Sequence, residues 1–266
     1  MSMQKKFSNK LILLVLSSLL LVLASCGGDS DSKPADNEDS GEKKTLIAGT
    51  DATYAPMESM DKDGEIVGID IDIVNAIAEA AGFEVEYRNI GWEPLFPAVD
   101  NDEVDFAVSS ITITDEREES FDFTESYYVA NQIILVPEDS DIKKFTDLEG
   151  KKVSAQINTT GHIVLQDLLG KTSKDIVAAE TMPFAIEEVL NGNAVASVGD
   201  NSTVNEYIKN NPDVKVKTIE DDSFEKENYG LMVKKDNTEV KDLLNEGIQK
   251  IKESGELEEI TGITLE

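Results

Sequence analysis

The sequence predicts an α/β protein, and three observations carry that expectation. From Thr45 onward short β-rich runs alternate with amphipathic helical patterns, the arrangement of parallel strands joined by crossover helices. The apolar content, 40%, is that of a globular chain with a real core. The apolar run Val104 to Val108 reads as a buried strand that opens directly onto Ser109, Ser110, Thr112 and Arg117. Polar groups at a strand end are where α/β sheets bind small ligands.

Leu46 to Ala48 opens the first strand. Asp70 to Ala81 follows as a helix, with acidic residues in its first turn and Gly82 as its stop. Val85 to Ile90 and Val104 to Val108 are further strands, placed around a helix containing Leu95 and Val99. A second series comprises Gln132 to Val136, Val153 to Gln156, Ile163 to Leu169, Ile176 to Ala178, Ile186 to Leu190 and Val195 to Val198. Near the end Val240, Leu243, Leu244, Ile248 and Ile251 repeat at helical spacing until Gly255. Asp61-Lys62-Asp63-Gly64 lacks the further ligands of a calcium loop and reads as a hairpin turn in which Asp-Gly supplies positive φ angles.

The first 25 residues read as an export signal: Lys5, Lys6 and Lys10, then a mostly apolar run from Leu11 to Ala24. At 1.5 Å per residue that run spans about 21 Å, short of the ~30 Å needed to cross a bilayer. Leu23-Ala24-Ser25-Cys26 resembles the lipobox of bacterial lipoproteins, which makes Cys26, the only cysteine, the expected lipidation site. Lipid chains there would anchor the protein on the extracytoplasmic side of the cell membrane without spanning it. Residues 26–43 then form the lipidated cysteine and a polar, flexible tether.

About 240 residues remain after processing, enough for one large domain or two lobes. The charge is strongly acidic, 24 Lys and Arg against 54 Asp and Glu for a net −30. Nucleic acid is thereby excluded as a partner, since phosphate binding needs concentrated positive charge. The acidity fits either solubility or attraction of cationic ligands. Arg117 suits a free carboxylate, because its planar guanidinium offers two parallel charge-assisted hydrogen bonds. Ser109, Ser110 and Thr112 place neutral donors and acceptors beside it.

Six segments read together: GTDATYAP at 49–56, GIDIDI at 68–73, SSITITDER at 109–117, FDFTESYY at 121–128, NTTG at 158–161 and VGD at 198–200. Their order and spacing resemble the polar amino acid family (family 3) of bacterial extracellular solute-binding proteins, which deliver ligands to ABC importers. IGWEPLF at 90–96 is similar to the branch that binds arginine, lysine and histidine. The resemblance implies a type II periplasmic-binding-protein fold, two α/β lobes joined by a two-strand hinge. Lobe 1 would comprise residues 44–130 plus 228–266 and lobe 2 residues 131–227. It also implies a monomer with a cationic or polar L-amino acid as ligand and ABC permease subunits as partners.

Carried over residue by residue, the resemblance assigns the α-carboxylate to Arg117 and Thr112 from one lobe and to Thr159 and Thr160 of the NTTG loop from the other. Helix N-termini present free N–H groups to anions, which suits Thr160. Asp200 would accept the α-ammonium, helped by the Ser110 carbonyl, with Ser109 alongside. Tyr54 and Trp92 would wall the ligand side chain, Asp51 would meet its distal group, and Gln156 would reach the same end. The chain departs from the family at Met57, where phenylalanine is usual, at Glu125-Ser126, where Asp-Pro is common, and at Asn193. None of these is a proposed contact.

An enzyme on the same fold, of dehydratase type, is the alternative from another class, and a glutamine-binding protein or an amino acid sensor are alternatives within it. His162 is the sole histidine, read as a partly exposed helix residue, and no Gly-x-Ser-x-Gly elbow or metal-ligand spacing occurs. No catalytic residues, metal or cofactor are therefore expected.

Overall fold

A computed structural model describes residues 43–265. The export signal, Cys26 and nearly all of the tether lie outside these residues. Strand β1 (Thr45–Thr50) opens the fold with Leu46 and Ala48 fully buried. Strands β2 (Thr53–Tyr54), β3 (Glu58–Met60) and β4 (Ile66–Val67) form a small antiparallel sheet. The hairpin expected at Asp61–Gly64 is formed by β3 and β4, but its turn is closed differently. Met60 pairs with Ile66, which leaves a five-residue loop, and of the Asp63-Gly64 pair Gly64 alone takes a positive φ, 85°. The loop is closed instead by Asp61, whose side chain accepts the N–H groups of Asp63 and Glu65 at 2.8 and 2.9 Å.

Helix α1 (Ile69–Ala81) buries Ile73, Val74 and Ile77 and ends on a left-handed Gly82, as its sequence pattern requires. After β5 (Glu84–Asn89) comes α2 (Trp92–Asp100), which buries Leu95 and Val99. The ladder of β6 (Phe106–Ala107) is shorter than the expected strand, although Val104 and Val108 on either side are buried. Helix α3 (Asp115–Ser120) and strand β7 (Phe121–Phe123) follow.

The ten-residue β8 (Tyr128–Pro137) carries the chain into a second sheet. That sheet is completed by β9 (Val153–Gln156), α4 (Thr160–Leu169), β10 (Ile176–Ala179), α5 (Met182–Leu190), β11 (Ala196–Asp200), α6 (Asn201–Asn210) and β12 (Val216–Ile219). Strand β13 (Lys226–Tyr229) pairs with the first half of β8, from Tyr128 to Asn131. Strand β14 (Met232–Lys234) then rejoins the first sheet, and α7 (Thr238–Ser254) and α8 (Glu256–Thr261) finish the chain.

The first sheet has the order β5-β1-β6-β14-β7 and the second β10-β9-β11-β8-β12. The fold is thus α/β with two sheet-containing lobes, but neither sheet is wholly parallel. β1 runs parallel to β5 and β6, and β9 to β10 and β11. β14 is antiparallel to β6 and β7, and β8 to β11, β12 and β13. The physical reason is that β8 and β14 arrive from the other lobe without a crossover helix, so nothing forces them into parallel register. Among the described residues no helix is long and apolar enough to cross a membrane.

Candidate functional site

Asp51, Tyr54, Trp92, Ser109, Ser110, Thr112, Arg117, Gln156, Thr159, Thr160 and Asp200 all line one cavity. Residues 51–117 of this set come from strand ends, loops and the helices α2 and α3 of the first lobe, and the other four from the second, so the cavity lies between the two sheets.

Arg117 is set in place by its own short helix, whose N-cap Thr114 accepts the Arg117 N–H at 3.2 Å. Its guanidinium lies 5.4 Å from the Trp92 ring centroid and 5.6 Å from that of Phe96, and donates to the Thr112 carbonyl at 2.8 Å and the Asn158 carbonyl at 3.2 Å. Asn158 belongs to the opposite lobe, so this contact bridges the cleft. Burial pulls the Arg117 pKa down, while Glu227 and Asp200 push it back up. An arginine remains charged under that balance. Trp92 is both a wall and a core residue, meeting Phe96 edge-on at 5.0 Å and packing with Leu95 and Val99.

The hydroxyls expected to serve a ligand are largely turned toward protein carboxylates. Ser109 Oγ donates to Glu58 Oε1 at 2.9 Å and accepts the Asp51 N–H at 3.1 Å. Ser110, with a left-handed φ of 50°, donates its backbone N–H to Asp70 Oδ2 at 2.8 Å. That conformation costs a non-glycine residue about 1–3 kcal/mol, and such strain gathers at functional sites. Tyr127 donates to the same oxygen at 3.0 Å. Asp70 stands in the first turn of α1 as expected, but it is fully buried and anchors the Ser109-Ser110 loop. Burial raises its pKa to about 6, and burial together with the Asp70 charge raises that of Glu58 well above the usual carboxylate range.

On the opposite side the NTTG loop starts α4. Thr159 is the N-cap and accepts the His162 N–H at 3.3 Å. Gly161 is required there: a Cβ would stand 2.8 Å from Gln132 Oε1 and 2.9 Å from the Val198 carbonyl. His162 is buried rather than partly exposed, because its Nδ1 accepts the Asn158 N–H at 3.1 Å and so braces the loop. It does not line the cavity.

Asp200 sits at the end of β11, 5% exposed, with Gln132 and Tyr229 donating to it. Burial raises its pKa, and those two bonds, the Tyr54 hydroxyl and the Arg117 charge oppose the rise. Asp51 accepts from Thr53 Oγ1 at 2.9 Å and from Gln156 Nε2 at 3.2 Å, with burial again raising its pKa. Because Asp51 takes the amide nitrogen of Gln156, Gln156 Oε1 is left buried without a partner among the described residues. Two acceptors thus stand side by side at one end of the cavity, where a cation has partners.

Sequence reasoning missed Glu58, Asp70, Gln132, Glu227 and Tyr229 as members of this polar network. Gln132 had a legible signal, an amide inside the apolar run of β8; the carboxylates had none. Among the described residues no group of His, Cys, Asp and Glu is placed to hold a metal ion.

The profile of the bacterial extracellular solute-binding proteins, family 3, matches residues 46–262. The arginine-, lysine-, histidine-binding protein ArtJ of Geobacillus stearothermophilus superposes with a TM-score of 0.78 at 44% identity, covering 82% of this chain and 93% of that one. The probable histidine-binding protein of Neisseria gonorrhoeae is 34% identical over 94% of this chain and 93% of its own length. The arginine-binding extracellular protein ArtP of Bacillus subtilis is 30% identical over 94% and 95%.

Proposed function

Since the chain belongs to the bacterial extracellular solute-binding proteins of family 3, we propose that it binds a cationic amino acid, arginine, lysine or histidine, between its lobes and delivers it to an ABC permease. The observation that carries this reading is the charge layout of the cavity: Arg117 beside Thr112 and Thr160, Asp200 close by, and Asp51 with the unpartnered Gln156 Oε1 at another wall. An α-carboxylate then meets Arg117 and the first turn of α4, an α-ammonium meets Asp200 and the Ser110 carbonyl, and a distal cation meets Asp51 and Gln156. Tyr54 and Trp92 flank the aliphatic stem, with Ser109 and Thr159 shaping the two loops. Similarity to ArtJ and to the histidine- and arginine-binding relatives supports the ligand class.

The same reading takes residues 44–130 plus 228–266 as lobe 1 and 131–227 as lobe 2. The protein would act as a monomer on the extracytoplasmic side, held at the membrane by lipid on Cys26, and would release its ligand unchanged. A thermal-shift screen with the twenty amino acids tests it. A ligand at 100 times its Kd stabilises the native state by about 2.7 kcal/mol. Arginine, lysine or histidine should raise Tm most; a screen in which no cationic amino acid raises it overturns the proposal.

A further inference from the structure

We propose that Glu227 is a positioning residue of the binding site, the shared acceptor that fixes the hydroxyl protons of Thr112 and Thr160 from the two facing lobes. The inference rests on the reading that an amino acid is bound in this cleft. Glu227 is carried by β13, the strand that pairs with β8 where the chain passes between the sheets. It is not among the residues that line the cavity. One of its oxygens, Oε2, accepts from Thr112 Oγ1 at 2.8 Å and from Thr160 Oγ1 at 2.9 Å. The other, Oε1, accepts from Gln132 Nε2 at 3.1 Å, and the same nitrogen donates to Asp200.

A hydroxyl has one proton to give. With both threonine protons committed to Glu227, their oxygens offer only lone pairs toward the cavity. A ligand carboxylate is then left to Arg117 and to the N–H groups of Thr160 and Gly161 at the start of α4, which no intrahelical carbonyl can reach; that of His162 is already taken by Thr159. The chain Thr112 to Glu227 to Thr160 also ties one lobe to the other behind the cavity wall. Through Gln132 the same carboxylate is linked to Asp200, the expected ammonium partner. The charged groups nearest Glu227 are Asp200, which repels it, and Arg117, which attracts it. Because these contacts lie at the α-carbon end of the site, they should serve every amino acid alike, whereas Asp51 and Gln156 distinguish side chains.

The test uses the mature protein with L-arginine and L-glutamine as probes, in calorimetry and stopped-flow fluorescence. Glu227→Gln should raise the dissociation rate at least tenfold for whichever of the two the wild type binds, and in equal proportion if it binds both, with the association rate within threefold of wild type. Wild-type dissociation in a folded Glu227→Gln protein overturns the inference while leaving the amino acid reading intact; a wild type that binds neither probe overturns both. Should the glutamine variant fail to fold, a cycle of Thr112→Val and Thr160→Val decides without touching Glu227. Two hydroxyls that share one acceptor give a non-additive double variant, and additive effects on the dissociation rate overturn the inference.

Discussion

Gln156 donates its side-chain amide to Asp51 Oδ2 at 3.2 Å, joining two lobes whose contributing residues are 105 positions apart. The bond fixes which way the amide faces, and so leaves a carbonyl oxygen beside the carboxylate. Asp51→Asn removes the charge and lets the Gln156 amide turn over. Affinity for arginine and lysine should fall by about 1–3 kcal/mol, the scale of a lost hydrogen bond to a charged group, while affinity for glutamine changes far less. Calorimetry with the three ligands measures this directly, and equal weakening of all three would remove Asp51 from the side-chain end of the site.

Arg117 is stacked on Trp92 and Phe96 and already donates to two carbonyls. Replacing it by alanine would take away the cation proposed to face the ligand carboxylate and the guanidinium over the aromatic pair. The expected loss is about 2–5 kcal/mol of binding, as for one partner of a buried hydrogen-bonded charge pair. Arg117→Lys keeps the charge but not the planar fork, and should recover only part of that loss. An Arg117→Ala protein that binds arginine with wild-type affinity would exclude this placement.

Glu58 and Asp70 have no exposed surface, and both lie against the Ser109-Ser110 loop. Two carboxylates this close in a buried site cannot both be charged, and Asp70, which accepts the Ser110 N–H and the Tyr127 hydroxyl, holds the charge while Glu58 keeps the proton. Glutamine resembles the protonated acid in shape and in having a donor. Glu58→Gln should therefore stay within about 1 kcal/mol of wild-type stability, whereas Glu58→Ala, which strands Asp70 and opens a cavity, should cost about 2–4 kcal/mol. Urea denaturation of the two variants checks the ordering, and a reversal would mean that Glu58 is ionised in the native state.

The pair shows what could be read from the sequence and what could not. Helix α1 was legible because Ile73, Val74 and Ile77 repeat on one face and Gly82 ends it. Asp70 at its start looks like an ordinary helix-dipole residue, and only the tertiary position of residues 109–110 turns it into a loop anchor. Likewise β9 was legible from Val153 to Gln156, but the direction of β8 and β14 depends on which lobe the chain enters, and local pattern holds no record of that. Ten of the eleven cavity residues lie in ordered motifs and Gln156 comes just before one, at strand ends, loops and helix starts where backbone geometry and side-chain chemistry are fixed together. Glu227 lies in the polar stretch Glu225-Lys226-Glu227-Asn228, where a carboxylate reads as solvated; its role follows from β13 passing behind Thr112 and Thr160.

The same buried carboxylates give the ligand-free protein a distinctive response to pH. Burial, with Asp200 nearby, raises the Glu227 pKa from 4.5 to about 7, and burial raises that of Asp70 from 3.8 to about 6. Between these ordinary and raised values the native state keeps protons that the unfolded chain has released, so stability must fall as pH rises through the window. His162 acts in the opposite direction, since burial lowers its pKa from 6.5 and its unfolded form takes up a proton first. Asp122, Glu125 and Asp221, whose pKa values are lowered, lose their contribution only on the acid side of the window. Asp51, Glu58 and Asp200, also raised by burial, act in the same direction as Asp70 and Glu227, and against the one histidine they leave a net decline, so Tm should be higher at pH 5 than at pH 7.5. Glu227→Gln removes the step nearest pH 7 and should flatten the curve from pH 6 to 7.5, by about 1–2 kcal/mol once partial solvent access to that carboxylate is allowed for. A scanning-calorimetry series over this range distinguishes the cases: if the wild type and the variant decline in parallel, Glu227 is already ionised at pH 6 and the threonine hydroxyls face a full charge throughout.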